Sequence, residues 1–306
     1  MTGTAPAESP IRLTPDVRAA LAARRPVVAL ETSVLAQGLP IPHNREAARR
    51  MLGAVARHAG VGAFTAVVDG VPALGLDDAE LERFLARDGI TKVSARDLAP
   101  TIAARRSGAT TVAGTLALIA TTEVTVFATG GIGGVHREGP FDESADLFEL
   151  ATTPAVVVCA GAKSILDLSA TVERLETLGV PVVGYRTREF PAFFSATSGL
   201  PLSVSVDAVG EVREIVKAHR ALGRRQAVLV VQQPPDEHAL PAALIDDAVA
   251  RALLEARDRG VRGPAVTPFL LAAVERATGG RSLTTNLALL EANADLAARI
   301  AAALLT

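Results

Sequence analysis

Cysteine is almost absent from this chain of 306 residues, because Cys159 is the only one. A single thiol excludes an internal disulfide framework and favours a reducing compartment, so we expect a cytoplasmic protein. Aromatic residues are also scarce, with nine Phe, one Tyr and no Trp, which argues against stacking platforms for single-stranded nucleic acids. The formal net charge of −2 argues against the basic surface that duplex DNA requires.

Long hydrophobic runs are missing as well. Apolar stretches such as 155–162 are far shorter than the roughly 20 residues that span a bilayer, so we expect no membrane partner. Residues 1–10 lack a basic segment followed by an apolar one, which predicts a flexible tail and not a signal peptide. No low-complexity linker or fixed-period repeat divides the remainder, and we interpret residues 11–306 as one domain.

Apolar runs and amphipathic stretches alternate along the sequence. This alternation predicts an α/β fold, specifically three α/β/α layers with a largely parallel or mixed central sheet. The predicted strands cover 27–33, 63–70, 92–94, 110–114, 124–130, 155–161, 180–185, 203–206 and 227–231. The predicted helices cover 14–24, 45–59, 77–87, 115–122, 144–150, 164–178, 207–222 and most of the C-terminal region, which is broken at 260–264 and 279–280.

Lysine is unexpectedly rare, since only Lys92, Lys163 and Lys217 accompany 28 arginines among the 31 basic residues. A bias towards arginine codons accounts for most of this, but lysine can lose its proton and form a Schiff base, whereas arginine cannot. Lys163 follows an apolar strand and is expected at the start of the next helix, where burial and the helix dipole both disfavour an ammonium ion. We therefore expect a nucleophilic Lys163, against the alternative of an ordinary surface lysine.

Two further segments place polar groups after predicted strands. Glu31 ends the first long strand, and a carboxyl group in dry surroundings retains its proton near neutral pH, as a general acid must. The alternative is a glutamate that turns outward into solvent. The glycine-rich segment 128–137 includes His136 and can bring backbone N–H groups close to an anion. It is neither a Walker loop nor a complete dinucleotide fingerprint.

Four carboxylates lie within eight residues: Asp142, Glu143, Asp146 and Glu149. Such an oxygen-rich cluster suits Mg²⁺ or Mn²⁺, but a solvated helix start capped by Asp142 or Ser144 explains some of the four better.

Two further positions are candidate ligand contacts. Lys92 is a candidate phosphate contact. Near the C-terminus, residues 284–286 can either cap a helix or bind substrate.

In combination, these segments resemble the pseudouridine-5′-phosphate glycosidase family, also called indigoidine synthase A-like. The motifs GGIGGVH, CAGAKSILD and TTN are highly specific together. The matching stretches are VVALETSVLAQGLPIPHN, KVSARDL, TTVAGTL, FATGGIGGVHR, FDESADLFELATTPAVVVCAGAKSILDL and GGRSLTTNLALLEANA. They extend from about residue 25 to near the C-terminus, so the resemblance covers nearly the whole chain.

The resemblance implies reversible cleavage of pseudouridine 5′-phosphate to uracil and ribose 5-phosphate by a homotrimer that uses a divalent metal, usually manganese. It implies that Lys163 forms an imine with C1′ of the opened ribose, that Glu31 donates the proton, and that Asp142 holds a largely hydrated ion. The implied substrate contacts are Lys92, Val112, Ser144, Ala145 and Asp146, with His136 and Asn286 as further contacts. The chemistry is coherent, because a C-glycoside has no leaving oxygen for a two-carboxylate mechanism to protonate.

Three features depart from the family pattern. Gln37-Gly38 replaces the usual His-Gly, the loop between His136 and Asp142 is about two residues shorter, and Glu143 replaces an apolar residue. These departures leave open another phosphorylated sugar or C-nucleotide as substrate of a Schiff-base enzyme. A catalytically silent metabolite-binding oligomer is the non-enzymatic alternative, and intact Glu31 and Lys163 argue against it.

Overall fold

The computed structural model describes residues 11–137, 142–261 and 266–306. The predicted tail over residues 1–10 and most of the loop before Asp142 lie outside the described residues. The strands are β1 (Arg12–Leu13), β2 (Val27–Glu31), β3 (Val61–Val68), β4 (Val71–Leu74), β5 (Ile90–Val93), β6 (Ser107–Thr110), β7 (Val126–Ala128), β8 (Val156–Cys159), β9 (Val182–Tyr185), β10 (Ser205–Val206) and β11 (Val228–Val231). The helices are α1 (Pro15–Ala22), α2 (His43–Ala56), α3 (Asp78–Ala86), α4 (Leu98–Ala103), α5 (Val112–Ile119), α6 (Ala145–Thr152), α7 (Leu168–Thr177), α8 (Val209–Ala221), α9 (Ala242–Asp258), α10 (Val266–Ala277) and α11 (Arg281–Leu304).

The strands form one mixed sheet in the order β1-β4-β3-β2-β7-β8-β11-β9-β10, and β6 joins β5 to β3. The pairings β3–β4 and β3–β6 are antiparallel, and the other described pairings are parallel. Helices flank the sheet, so the predicted three-layer α/β/α fold is confirmed. Among the described residues, no helix is long and apolar enough to cross a membrane.

The central strands are apolar along their whole length because helices cover both faces of the sheet. Every residue of β2, β8 and β11 is buried. The long helix α11 packs against β2, β7 and β8 and also against α2 and α8, while α5 packs against β2, β3, β6 and α6. This packing brings the C-terminal ends of β2, β7 and β8 together at one edge of the sheet.

A network of buried threonine hydroxyls joins β2, β3, β6 and α5 beneath that edge. Thr65 Oγ1 lies 2.8 Å from the hydroxyls of both Thr110 and Thr115. The Thr32 hydroxyl donates to the Thr65 carbonyl at 2.7 Å and accepts from the Thr110 N–H at 2.9 Å. Because none of the four side chains is exposed, each needs these partners. The network fixes the end of β2, where Glu31 lies, relative to the start of α5.

Two predicted elements are wrong in type or extent. The β-branched run at 110–114 predicts a strand, but β6 ends at Thr110, and Thr111 caps α5 by accepting the Gly114 N–H at 3.2 Å. The helix predicted to start at residue 164 begins only at α7, where Asp167 accepts the Ala170 N–H at 2.9 Å. In both cases a side-chain cap sets the boundary, and intrinsic propensity does not.

Candidate active site

A cleft opens where β2, β7 and β8 end, as expected for the carboxyl edge of parallel strands. Its outer compartment has a volume of about 840 Å³, and it shares Glu31, Ser33, Lys92, Lys163 and Thr267 with a smaller inner compartment. All ten predicted site residues line this cleft. The outer compartment also contains Val112, His136, Asp142, Ser144, Ala145 and Asp146, and the inner one contains Asn286.

Glu31 is buried at the end of β2, with 5% of its surface exposed, so it does not turn outward into solvent. One carboxylate oxygen accepts a hydrogen bond from the Ser33 hydroxyl, and the other accepts one from the Thr129 hydroxyl. These two contacts fix the plane of the carboxyl group. The side chain therefore faces the cleft in a single orientation, as directed proton transfer requires.

A second layer of hydrogen bonds holds Thr129 in place. Asn293 Nδ2 donates to the Thr129 carbonyl at 2.8 Å and to the Gly130 carbonyl at 3.3 Å. Gln232 Nε2 in turn donates to Asn293 Oδ1 at 2.9 Å. Sequence reasoning missed Asn293, although an asparagine within the buried apolar stripe of α11 is a usable signal for an internal hydrogen bond.

Lys163 lies on a loop between β8 and α7, and its backbone is fixed on both sides. Its N–H donates to the Ile132 carbonyl at 3.1 Å, and its carbonyl accepts the Leu166 N–H at 3.0 Å. Arg137 donates to the carbonyls of Ser164 and Leu166, both at 3.1 Å. The expectation of a helix-start lysine is therefore wrong, because α7 begins only at Leu168.

Lys92 places a second lysine side chain in the same cleft. Burial lowers the pKa of Lys92, and the positive charge of Lys163 lowers it further, while the carboxylates of Glu31 and Asp146 oppose the shift. The four side chains therefore interact electrostatically. Two lysine side chains in one cleft favour the binding of an anionic group.

Asp146 organises the glycine-rich loop. It is buried, and its two carboxylate oxygens accept the N–H of Ala113 at 2.9 Å and the N–H of Gly133 at 2.7 Å. A Cβ at Gly133 would lie 2.3 Å from Ser144 Oγ, so only glycine fits there. The anion that the Gly133 N–H binds is thus the protein's own Asp146, which ties the loop to the first turn of α5.

The predicted acidic cluster divides among several environments. Asp142 faces the cleft, with His136 Nδ1 3.1 Å from its Oδ1, and 60% of its side chain is exposed. Glu143 instead pairs with Arg174 Nε at 2.9 Å, and burial raises the pKa of Glu149 on α6. No group of three or more metal-ligating side chains occurs among residues 11–137, 142–261 and 266–306. The donor set therefore fits a largely hydrated ion held by Asp142, and it does not fit a cation enclosed by protein ligands.

The inner compartment has apolar walls that sequence reasoning missed, beside the predicted contact Asn286. Phe193, Pro268 and Leu271 contribute apolar surface, and the amides of Gln37 and Asn286 contribute polar atoms. Phe193 has a backbone φ of +62°, a conformation that a bulky residue adopts only where its surroundings hold it there. The loop over 186–202 that carries Phe193 shows no periodic pattern, and Pro268 and Leu271 lie on α10, which sequence reasoning did not connect with the site.

The comparisons with known proteins cover nearly the whole chain. The family model described as indigoidine synthase A like protein matches residues 16–303. A pseudouridine-5′-phosphate glycosidase of Gemmatimonas aurantiaca is 59% identical over 293 residues, or 96% of each chain. Among solved structures, the prealnumycin C-glycosynthase in complex with ribulose 5-phosphate has a TM-score of 0.90, with 37% identity over 98% of both chains. An indigoidine synthase A-like protein of Thermotoga maritima also has a TM-score of 0.90, with 36% identity over 100% of both chains.

Proposed function

Because the chain belongs to the indigoidine synthase A-like protein family, we propose that it is an enzyme that reversibly cleaves the C-glycosidic bond of pseudouridine 5′-phosphate. The products are uracil and ribose 5-phosphate. The observation that carries the proposal is the placement of Glu31 and Lys163 on one cleft, beside a small inner compartment. The relatives named as glycosidases of this nucleotide support the substrate, and the C-glycosynthase supports chemistry at the same type of bond.

The two side chains divide the reaction between them. The Lys163 amine bonds to C1′ as the bond between C1′ and the ring oxygen breaks, and the proton that the nitrogen loses passes to this oxygen, which becomes a hydroxyl of the opened ribose. Glu31 protonates the uracil carbon that was attached to C1′, and the carbon–carbon bond breaks as the lysine nitrogen lone pair forms the imine. Water then adds to the protonated imine, which releases ribose 5-phosphate and the free amine, and the proton set free returns to Glu31. The same steps in reverse join the base to the sugar.

The outer compartment is suited to the phosphorylated sugar. Lys92 supplies positive charge, and Val112 is the first residue of α5, where its backbone N–H has no partner within the helix and can bind phosphate, whereas the next two N–H groups are paired with Asp146 and Thr111. We assign sugar-phosphate contacts also to Ser144, Ala145 and His136 at the start of α6 and in the glycine-rich loop. Asp146 contributes by holding these two segments together.

We further propose that a divalent cation, Mn²⁺ or Mg²⁺, is held by Asp142 in this compartment. When bound, the ion would supply positive charge to the substrate phosphate and ribose oxygens. Asp142 carries its exposed carboxylate towards the cleft, and His136 orients it. Assembly as a cytoplasmic homotrimer is part of the same proposal, and sedimentation of the purified chain tests the trimer.

The direct test is the release of uracil from pseudouridine 5′-phosphate, followed by absorbance with and without Mn²⁺. We expect turnover with the metal and none with uridine 5′-phosphate. A folded wild-type protein that releases no uracil would refute the substrate assignment. If the same protein still forms a borohydride-trapped adduct with ribose 5-phosphate, the substrate is another C-nucleotide; without an adduct, the silent oligomer is correct.

Replacing Asp142 with asparagine is expected to raise the Mn²⁺ concentration needed for half-maximal uracil release by about tenfold or more, because a neutral amide binds hard cations weakly. Calorimetric titration of Mn²⁺ into the protein with ribose 5-phosphate gives a readout independent of activity. The matched control is Glu143→Gln, because this neighbouring carboxylate is paired with Arg174. Equal Mn²⁺ affinity in D142N and wild type would place the ion elsewhere.

A further inference from the structure

Two amide side chains in the inner compartment have a buried oxygen without a hydrogen-bond partner. These atoms are Gln37 Oε1 and Asn286 Oδ1, and each belongs to the lining of the compartment. Gln37 lies in the π-helical turn over Val34–Gly38 that follows β2, and Asn286 lies in α11, almost 250 positions away. The fold therefore brings two unsatisfied acceptors to one small space.

Leaving a buried acceptor unpaired destabilises a protein, so such atoms require a specific explanation. Gln226 Oε1 is also buried and unpaired, but it stands alone and does not line the cleft, so it does not point to a ligand. Two acceptors in one compartment, beside Glu31 and Lys163, instead indicate a ligand that brings two N–H donors. The apolar surface of Phe193, Pro268 and Leu271 indicates that this ligand is flat and largely unsolvated.

The chemistry of the base supplies these donors. A uracil attached to ribose through carbon keeps both ring N–H groups, whereas a uracil attached through nitrogen keeps only one. We propose that Gln37 and Asn286 each accept one of these N–H groups, so that the inner compartment selects C-linked over N-linked uracil nucleotides. The inference rests on the proposed function and adds Gln37 as a specificity-determining residue, outside the set of contacts that the family resemblance implies.

The mechanism is compatible with this placement. Glu31 must reach the base carbon that becomes protonated, and Lys163 must reach C1′, so the base lies beside both residues, which line the inner as well as the outer compartment. An N-linked nucleotide placed there would leave one amide oxygen buried without a donor. A site built to hydrogen-bond a substrate group discriminates strongly against an analogue that lacks it.

The test compares kcat/KM for base release from pseudouridine 5′-phosphate with that from its N1-methyl and N3-methyl derivatives. In wild type, each methyl group removes one donor, and we expect losses of about tenfold to 100-fold. In Gln37→Leu, kcat/KM for the parent substrate should fall by a similar factor. One of the two methyl groups blocks the N–H that Gln37 accepts. Because Q37L lacks this acceptor, that methyl group should cost the variant little, and the ratio of parent to methylated kcat/KM should fall by about tenfold or more relative to wild type.

The matched control is Gln226→Leu, which removes an equally buried, unpaired amide away from the cleft and should leave both ratios unchanged. Thermal melting of both variants shows whether they fold. A change smaller than about threefold in both ratios for Q37L would overturn the assignment of Gln37. Failure of wild type to release uracil at all would instead refute the proposed function, so the two failures are distinguishable.

Discussion

Replacing Lys163 with arginine is expected to lower kcat for uracil release by roughly 10³-fold or more, the scale of loss seen when a covalent nucleophile is removed. Arginine keeps the positive charge and the length of the side chain, but it cannot form an imine. The loss therefore isolates covalent chemistry from charge. The measurement is uracil absorbance under saturating substrate, and Lys217→Arg, on the surface of α8, is the matched control with expected wild-type activity.

Covalent trapping makes this prediction sharper, because the chain has only three lysines. Borohydride reduction in the presence of ribose 5-phosphate should label the peptide that contains Lys163, and K163R should show no label. Lys92 is the alternative candidate for the imine-forming nucleophile, because burial and the charge of Lys163 lower its pKa and so favour its neutral form. A label on Lys92 in wild type would contradict the assignment of the nucleophile.

The part of the site that the sequence predicts is the part built from strand ends. Apolar runs mark β2 and β8 as buried strands, and the polar residues that follow them, Glu31 and Lys163, meet because parallel strands end at the same edge. The alternation of elements was enough to predict the α/β/α layers. The β3–β4 hairpin was not predicted, since β4 (Val71–Leu74) is too short to show its own pattern.

The remaining parts depend on contacts between distant positions, and no local pattern reports them. Asn293 reaches Thr129 across 164 positions, and Phe193 enters the cleft from a loop without periodicity. The start of α7 is a different kind of error, because Asp167 is a standard N-cap and its signal was available. The placement of Lys163 after the buried strand β8 was thus predicted correctly, while its predicted position at the start of the next helix was wrong.

Replacing Glu31 with glutamine should lower kcat for uracil release by roughly 10²- to 10⁴-fold, the usual contribution of a general acid. The amide has nearly the same shape, and the hydroxyls of Ser33 and Thr129 can rotate to pair with it, so the geometry of the cleft is retained. What is lost is the proton that the departing uracil carbon must receive. The rate of uracil release is the measurement, and Glu173→Gln, which is exposed on α7, is the matched control.

The informative result is the contrast between release and trapping in the same variant. Glu31→Gln should still form the borohydride-trapped adduct of ribose 5-phosphate at Lys163, because that imine forms without protonation of a base carbon. Equal losses of trapping and release would mean that Glu31 acts by positioning Lys163 and not as the acid. Asn293→Leu separates the two roles further, because it removes the donor to the Thr129 carbonyl and so loosens the residue that orients Glu31. Uracil release should therefore fall in this variant. Trapping of ribose 5-phosphate at Lys163 should persist, as in E31Q.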